Sequence, residues 1–203
     1  MDWRLETTRI PVIRALIRWG EQSRSRKVLS EIQPHIPTGA SILDLGAGTC
    51  VAANMMQTAG YAVTAVDVAD YSVMDDLHPT VYDGDTLPFE DQSFDFVILA
   101  FVLHHTPDPD GVIAEARRVA RELIILEDVV TGRWHRWVTI VLDSVLNLEF
   151  FNHPHTNRSD AQWRQTFENQ SLEITSFEMS RSSMLLAKPI IHARYVLARR
   201  SES

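Results

Sequence analysis

Three carboxylates and a glycine turn carry most of the chemistry legible in this chain. Asp44 stands in Ile42-Leu43-Asp44-Leu45-Gly46-Ala47-Gly48-Thr49-Cys50, an apolar strand that runs into a glycine turn and then a helix. Glycines at such a turn let the backbone come close to a ligand, and free amides at the helix start can face it. A dinucleotide fold would carry G-x-G-x-x-G at this point. The pattern here is D-x-G-x-G, and its carboxylate at the strand end repels phosphate and suits a cation. Nineteen residues beyond Gly48, Asp67 ends the apolar run Ala62–Val66, where an acidic side chain can take both hydroxyls of a ribose. Asp85, in Asp83-Gly84-Asp85-Thr86-Leu87-Pro88-Phe89, is placed to accept from the exocyclic amine of a purine while Leu87 packs on the ring. Each segment also has a plainer reading as an ordinary turn. Taken together they describe contacts along one nucleoside.

A second group of residues could act on an acceptor molecule. His104 and His105 follow the fourth strand and Glu127-Asp128 ends the fifth, all expected on the ligand side of a parallel sheet. A histidine or carboxylate there could take a proton from a hydroxyl acceptor; packing and loop capping are the competing roles. Cys50, at a helix start, is expected to have a lowered pKa if the helix end acts on it, although no His–Asp pair is identifiable beside it to make it a nucleophile. His153-Pro154-His155 has two potential metal ligands but no carboxylate cluster with them. With one cysteine in the chain there is also no Cys-based zinc site, so no metal is expected.

These residues need strands and helices to hold them. Ser41–Leu45, Ala62–Val66, Thr80–Tyr82, Phe94–Ala100 and Glu122–Leu126 read as strands, and Ala52–Ala59 and Pro109–Ala120 as helices between them. This alternation implies an α/β fold, a parallel sheet covered on both faces with ligands at the carboxyl ends of its strands. Before it, Pro11–Trp19 and Ser23–Ile32 read as two helices, the second stopped by Pro34 and Pro37. After Asp128, helical segments around Arg133–Leu148 and Asp160–Asn169 lead to strand-like runs Leu172–Met179 and Ile190–Ala198, which suggest a terminal antiparallel pair. The expected organisation is an N-terminal helical extension or lid over 1–38 and one domain over 39–203, within which 129–170 is an acceptor-site insert.

Composition narrows the class further. The chain has 203 residues, 45% hydrophobic and 23% charged, enough for one domain with a sizeable core. Its net charge of -8 argues against nucleic acid as a partner. That charge is concentrated: residues 39–128 carry three basic and sixteen acidic side chains, whereas both flanks are mildly basic. Aspartates that build turns and helix caps are expected to account for most of the excess. One cysteine, apolar runs too short to span a bilayer and no signal-peptide pattern lead to a cytoplasmic expectation. Trp3, Trp19, Trp134, Trp137, Phe150, Phe151, Trp163 and Phe167 lie outside the nucleoside motifs and suit either an apolar acceptor pocket or the packing of extra helices. The basic amphipathic start suits a lid and, less well, a membrane surface.

In their order, the motifs resemble class I S-adenosylmethionine-dependent methyltransferases, within them the type 11 small-molecule group. The resemblance runs from about Ser41 to Asp128. It rests on Leu43-Asp44-Leu45-Gly46-Ala47-Gly48-Thr49, Val66-Asp67-Val68, Gly84-Asp85-Thr86-Leu87-Pro88-Phe89, Ser93-Phe94-Asp95-Phe96-Val97-Ile98, and Val102-Leu103-His104-His105 with Pro107-Asp108-Pro109. It implies a Rossmann-like fold: a mostly parallel seven-stranded sheet with an antiparallel C-terminal strand and helices on both faces. It also implies S-adenosylmethionine as cofactor, with Asp44, Gly46, Ala47 and Gly48 at the methionine part, Asp67 and Val68 at the ribose, Asp85 and Thr86 at the adenine, and Ala100 over the methionine end. Cys50 departs from the pattern, since many members have a third glycine there. The implied activity is methyl transfer to a small, hydrophobic or aromatic acceptor, with His104, His105 and Glu127 as candidate catalytic residues. A non-catalytic partner subunit on the same fold and a nicotinamide-dependent oxidoreductase remain as alternatives.

Overall fold

A parallel strand covered on both faces must be apolar almost throughout, and β1 (Ser41–Leu45) meets that condition: its last four residues, Asp44 included, are all buried. Around it the computed structural model, which describes Thr8 and residues 10–129, 156–182 and 190–200, builds a seven-stranded sheet. β2 (Ala62–Asp67), β3 (Thr80–Val81) and β4 (Phe94–Ala100) are followed by β5 (Ala120–Asp128), β6 (Leu172–Ser182) and β7 (Ile190–Arg199). Their order is β3-β2-β1-β4-β5-β7-β6. β1 runs parallel to both β2 and β4, β2 parallel to β3, and β7 antiparallel to both β5 and β6. The chain leaves β1 toward β2 on one side and returns to β4 on the other. Such a reversal opens a crevice beyond the carboxyl ends of the strands.

The chain forms two compact units, Met1–Ile98 with Arg118–Arg121, and Leu99–Arg117 with Glu122–Ser203. In the first, helix α1 (Pro11–Ile32) is continuous where the sequence suggested two helices. Pro11 supplies a first-turn residue with no amide to satisfy. Gly20, the point of the expected break, lowers helix propensity by about 1 kcal/mol without removing a backbone donor, so the helix passes through it. The helix buries Ser25, Val28 and Ile32. Its N-terminal half is held by arginines: Arg14 donates to the Met74 carbonyl at 2.7 Å and pairs with Asp75 at 3.0 Å, and Arg18 bonds the Val73 carbonyl and Asp75. Trp19 on the other face is 77% exposed. Helix α2 (Val51–Thr58) starts after Cys50, whose φ of 58° turns the chain from the glycine loop into the helix, and buries Val51, Ala53 and Met56.

Several acidic residues of the middle segment serve turns and caps, as composition suggested. Asp95 accepts from the Ser41 amide and hydroxyl at 2.9 and 2.8 Å. Asp83 accepts from the Asp85 and Thr86 amides at 2.9 and 3.0 Å, and Asp108 accepts from the Gly111 amide at the start of helix α3 (Pro109–Val119).

In the second unit, helix α4 (Asp160–Asn169) opens on a capping box in which Ser159 and Gln162 satisfy each other's backbone amides. It buries Trp163, Thr166 and Phe167. The Phe167 ring meets Tyr195 of β7 at 5.1 Å, and Tyr195 donates its hydroxyl to Asp160 at 2.8 Å. Arg158 clamps Asp110 with two hydrogen bonds, at 3.0 and 2.8 Å, and lies over the Trp163 ring. The expected helix around 133–148, His153, His155 and the aromatics Trp3, Trp134, Trp137, Phe150 and Phe151 fall outside the described residues. Among the described residues no helix is long and apolar enough to cross a membrane.

Candidate functional site

At the carboxyl end of β1 the Asp44 carboxyl is buried, and its Oδ2 has no hydrogen-bond partner. Burial disfavours the charged form and the nearby Asp67 charge adds to the effect, pushing the Asp44 pKa up to about 7. A buried, unpartnered carboxylate oxygen is costly, and a cationic or N–H-bearing ligand group would relieve that cost. Asp67, at the end of β2, is treated differently by its surroundings. Its Oδ2 accepts from the Gly48 amide and its Oδ1 from the Val68 amide, both at 2.7 Å. Burial raises its pKa while these bonds pull it back down. Asp67 thus ties the glycine turn to the end of the second strand and keeps lone pairs for hydroxyl donors.

Gly46 and Gly48 have φ of 82° and 49°, a left-handed backbone that favours glycine. The expectation that free amides of this turn face a ligand is corrected for three of them. The amides of Gly46 and Ala47 donate to the Val66 carbonyl at 2.8 and 3.0 Å, and that of Gly48 is taken by Asp67. What the turn offers is room: a Cβ added at Gly48 would meet nothing within 4 Å. Cys50 is likewise corrected. Its thiol is fully buried, and burial with the charges of Asp44, Asp70 and Asp67 raises its pKa to about 12 despite an opposing hydrogen bond from Ser72. It is an unreactive packing residue, grouped with Ala47, Ala53 and Ala65.

Beyond Asp67, Val68 stands 56% exposed, and a Cβ on Gly84 would lie 3.6 Å from its Cγ1, so the loop after β3 passes close beside it. Asp85 and Thr86 are exposed and Leu87 is buried. Asp83 holds the turn through its two amide bonds, which keep its own carboxyl below the usual range. Arg118 pins the far side of the same loop, donating to the carbonyls of Leu87 and Phe89 at 2.9 and 2.7 Å. The sequence reading did not single out Arg118, whose partners lie about thirty residues away along the chain.

In the second unit, Ala100 ends β4, and the amide of Phe101 donates to Leu126 of β5 at 2.8 Å. The next residues, Leu103–His105, form one turn of 3-10 helix. Glu127 grips that turn: Oε1 accepts from the Leu103 amide at 2.7 Å and Oε2 meets His104 Nδ1 at 2.6 Å. The two side chains are 0% and 4% exposed. Thr156 holds the turn from another segment, its hydroxyl donating to Leu103 and its amide to His104, at 2.9 and 3.1 Å. His105 is half-buried with its ring 4.0 Å from that of His104. One residue beyond Glu127, Asp128 lies directly across the strand pair from His192 and bonds its Nδ1. The sequence reading missed His192, because only the antiparallel register of β5 and β7 brings it to Asp128. Among the described residues no group of three or more His, Cys, Asp or Glu side chains could hold a metal ion.

Residues 43–123 match the model of the type 11 family, described as a methyltransferase domain. That match takes in the glycine turn, Asp67 and Asp85, and the solved structures below share the class I methyltransferase fold. Among the curated proteins the chain is similar to is a demethylmenaquinone methyltransferase of Tropheryma whipplei, 28% identical over 42% of the chain and 39% of that protein. The chain thus spans about two-fifths of that relative's length, and between 37% and 51% of the others it matches with the same name. Among solved structures, a S-adenosylmethionine-dependent methyltransferase from Methanosarcina mazei superposes with a TM-score of 0.66 at 17% identity, covering 84% of this chain and 97% of that one. Magnesium protoporphyrin IX methyltransferase from Synechocystis, solved with S-adenosylhomocysteine bound, gives 0.62 at 16% identity, with 89% and 84% covered. At these identities the structures speak for the fold. The buried Asp44 oxygen, the open space at Gly48 and the hydroxyl-accepting Asp67 fit the ammonium, main chain and ribose of such a cofactor.

Proposed function

We propose that this protein transfers a methyl group from S-adenosylmethionine to a small, hydrophobic or aromatic organic acceptor. The observation that carries the reading is the unpartnered Asp44 carboxylate buried beside a left-handed glycine turn, with Asp67 closing the next strand. When bound, the cofactor supplies a methyl already activated by a positive sulfur, so alignment and exclusion of water are the protein's main tasks. Asp44 takes the ammonium, and Gly46, Ala47 and Gly48 line the methionine chain without side chains larger than a methyl. Asp67 accepts from the ribose hydroxyls. Val68 offers an apolar surface to the adenine, with Asp85 and Thr86 at its edge, and Ala100 belongs to the methionine end.

The roles of Glu127 and His104 follow from their burial. Both oxygens of Glu127 are engaged inside the fold, so the pair positions the turn after β4, and His105 on that turn is the candidate to meet an acceptor. The name shared by the curated relatives favours an aromatic acceptor of quinone or hydroquinone type. We infer that no metal takes part and that the protein works in the cytoplasm, a reading supported by its one cysteine being free and buried.

Calorimetric titration with S-adenosylhomocysteine is the first test, with binding in the micromolar range expected; none up to millimolar concentration would overturn the reading. A labelled-methyl screen against hydroquinones, phenols and amines then separates an enzyme from a non-catalytic partner on the same fold. Binding of the product with transfer to none of these classes would favour the partner.

A further inference from the structure

Over its first half, helix α1 presents charge to its own unit and apolar surface to solvent. The side chains it turns inward there include Arg14 and Arg18, which reach the carbonyls of Met74 and Val73 and pair with Asp75. Three apolar side chains point the other way. Val12, Leu16 and Trp19 are 69%, 62% and 77% exposed, and at 3.6 residues per turn they lie within about 60° of one another around the helix axis. The residues that the helix buries, Ser25, Val28 and Ile32, lie opposite this stripe, on the side of the two arginines. Packing and hydrogen bonding thus fix the stripe outward, where an ordinary surface helix would turn it to the core.

Basic residues border the stripe. Its line continues through Ser23 and Ser30, with Arg26 and Lys27 exposed on either side of it; Lys27 also pairs with Glu31 at 3.7 Å. The helix carries five basic and two acidic residues, whereas residues 39–98 of the same unit carry ten acidic side chains and no lysine or arginine. An anionic surface is therefore attracted to α1 and repelled by the acidic segment. Three side chains fall well short of the roughly 800 Å² per partner that a stable protein pair buries. A lipid surface needs no matching shape, and an exposed tryptophan suits the boundary between headgroups and acyl chains. Among the described residues no helix is long and apolar enough to cross a bilayer, so the contact this surface fits is peripheral.

We propose that α1 docks this protein on an anionic lipid bilayer, lying in the plane of the interface with Val12, Leu16 and Trp19 inserted at the acyl boundary and Arg26 and Lys27 among the headgroups. The sequence left this helix between a lid and a membrane surface, and the outward stripe favours the surface. Arg14 and Arg18 are engaged with the 73–75 loop and hold the helix to its unit while the opposite face meets lipid. Docking does not depend on the methyl-transfer reading, since none of these residues belongs to the proposed cofactor site.

The test is flotation of the full chain with vesicles of phosphatidylcholine, alone or mixed with phosphatidylglycerol. At low ionic strength the protein is expected to float with the mixed vesicles and to stay behind with phosphatidylcholine alone; ~0.5 M salt, which screens the headgroup charge, should weaken the binding. Leu16→Ser with Trp19→Ser, and separately Arg26→Gln with Lys27→Gln, should each weaken it about 10-fold or more without changing the thermal melt. Should the serine pair unfold the chain, Trp19→Phe tests the same stripe: it keeps vesicle binding, and bromine-labelled acyl chains quench the wild-type fluorescence more than that of the variant. Wild-type protein that ignores the mixed vesicles, variants that float as well as the wild type, or equal quenching of wild type and Trp19→Phe overturn the proposal. So does sedimentation equilibrium that finds a wild-type dimer split by the serine pair, because a second copy would then cover the stripe.

Discussion

Asp44 and Asp67 are both buried carboxylates at strand ends, yet backbone donors reach only one of them, and their responses to substitution should differ accordingly. Asp67→Ala removes the ribose acceptor and also the tie to Gly48. It is expected to weaken S-adenosylhomocysteine binding by about 1–3 kcal/mol, measured by calorimetry; unchanged affinity would place the ribose elsewhere. For Asp44 the sign follows from its raised pKa. The folded chain holds this proton up to about pH 7, whereas the unfolded chain releases it near 3.8. The resulting stabilisation is full below pH 3.8 and is lost as pH rises toward 7; above that the fold carries the whole cost of an ionised, unpartnered carboxylate. Asp44→Asn should therefore raise the melting temperature of the ligand-free protein at pH 8 while weakening ligand binding. An ammonium favours the ionised carboxylate, so binding near pH 6.5 should release a proton, detected as a dependence of calorimetric heat on the buffer's ionisation enthalpy. Asp44 and Asp67 were legible in the sequence because strand, turn and helix follow one another within a few residues. Their partners were legible only in part: the glycine turn was evident as a turn, but nothing local revealed that its amides were already bonded to Val66 and Asp67.

At the scale of elements, long-range pairing separates what could be read from what could not. β1, β4 and α4 are local patterns and were found with their boundaries intact. Helix α1 reads in sequence as two segments, Pro11–Trp19 and Ser23–Ile32, but the glycine between them weakens a helix without removing a backbone donor, and the structure runs through it. The antiparallel β6–β7 pair was expected, but its register, which sets His192 against Asp128 and Tyr195 against Phe177, is a property of two strands together. Two predictions belong here. Phe167→Ala opens a cavity among Trp163, Tyr195 and the inner face of α4 and should cost about 3–5 kcal/mol in chemical denaturation. Ser159→Ala removes the capping box and should cost about 1 kcal/mol by the same measurement. A loss for Phe167→Ala no larger than that for Ser159→Ala would contradict the packing role given to the aromatic cluster.

For the whole molecule, the charge of -8 becomes a set of individual assignments. Asp83, Asp95 and Asp108 support turns and caps, Asp75 and Asp110 answer arginines, and Asp44 and Asp67 face the proposed ligand. Asp44, Asp95 and Asp110 titrate in opposite senses. Asp95 and Asp110 have lowered pKa values from the Ser41 and Arg158 hydrogen bonds, so their contribution is present above the ordinary carboxylate pKa and lost as pH falls through their folded values. Asp44 acts the other way. Denaturant titrations of the ligand-free protein should thus show greatest stability on the acid side of neutrality, moving toward higher pH with ligand present; a ligand-free maximum at pH 8 or above would contradict this. Arg14 and Arg18 of α1 grip the loop at Val73, Met74 and Asp75, six to eight residues beyond Asp67. In hydrogen-exchange terms that grip is a load path: the amide of Val73, which donates to the Thr49 carbonyl, should exchange faster in an Arg14→Ala/Arg18→Ala protein. The acceleration would reach the glycine turn from a helix that contributes no atom to it.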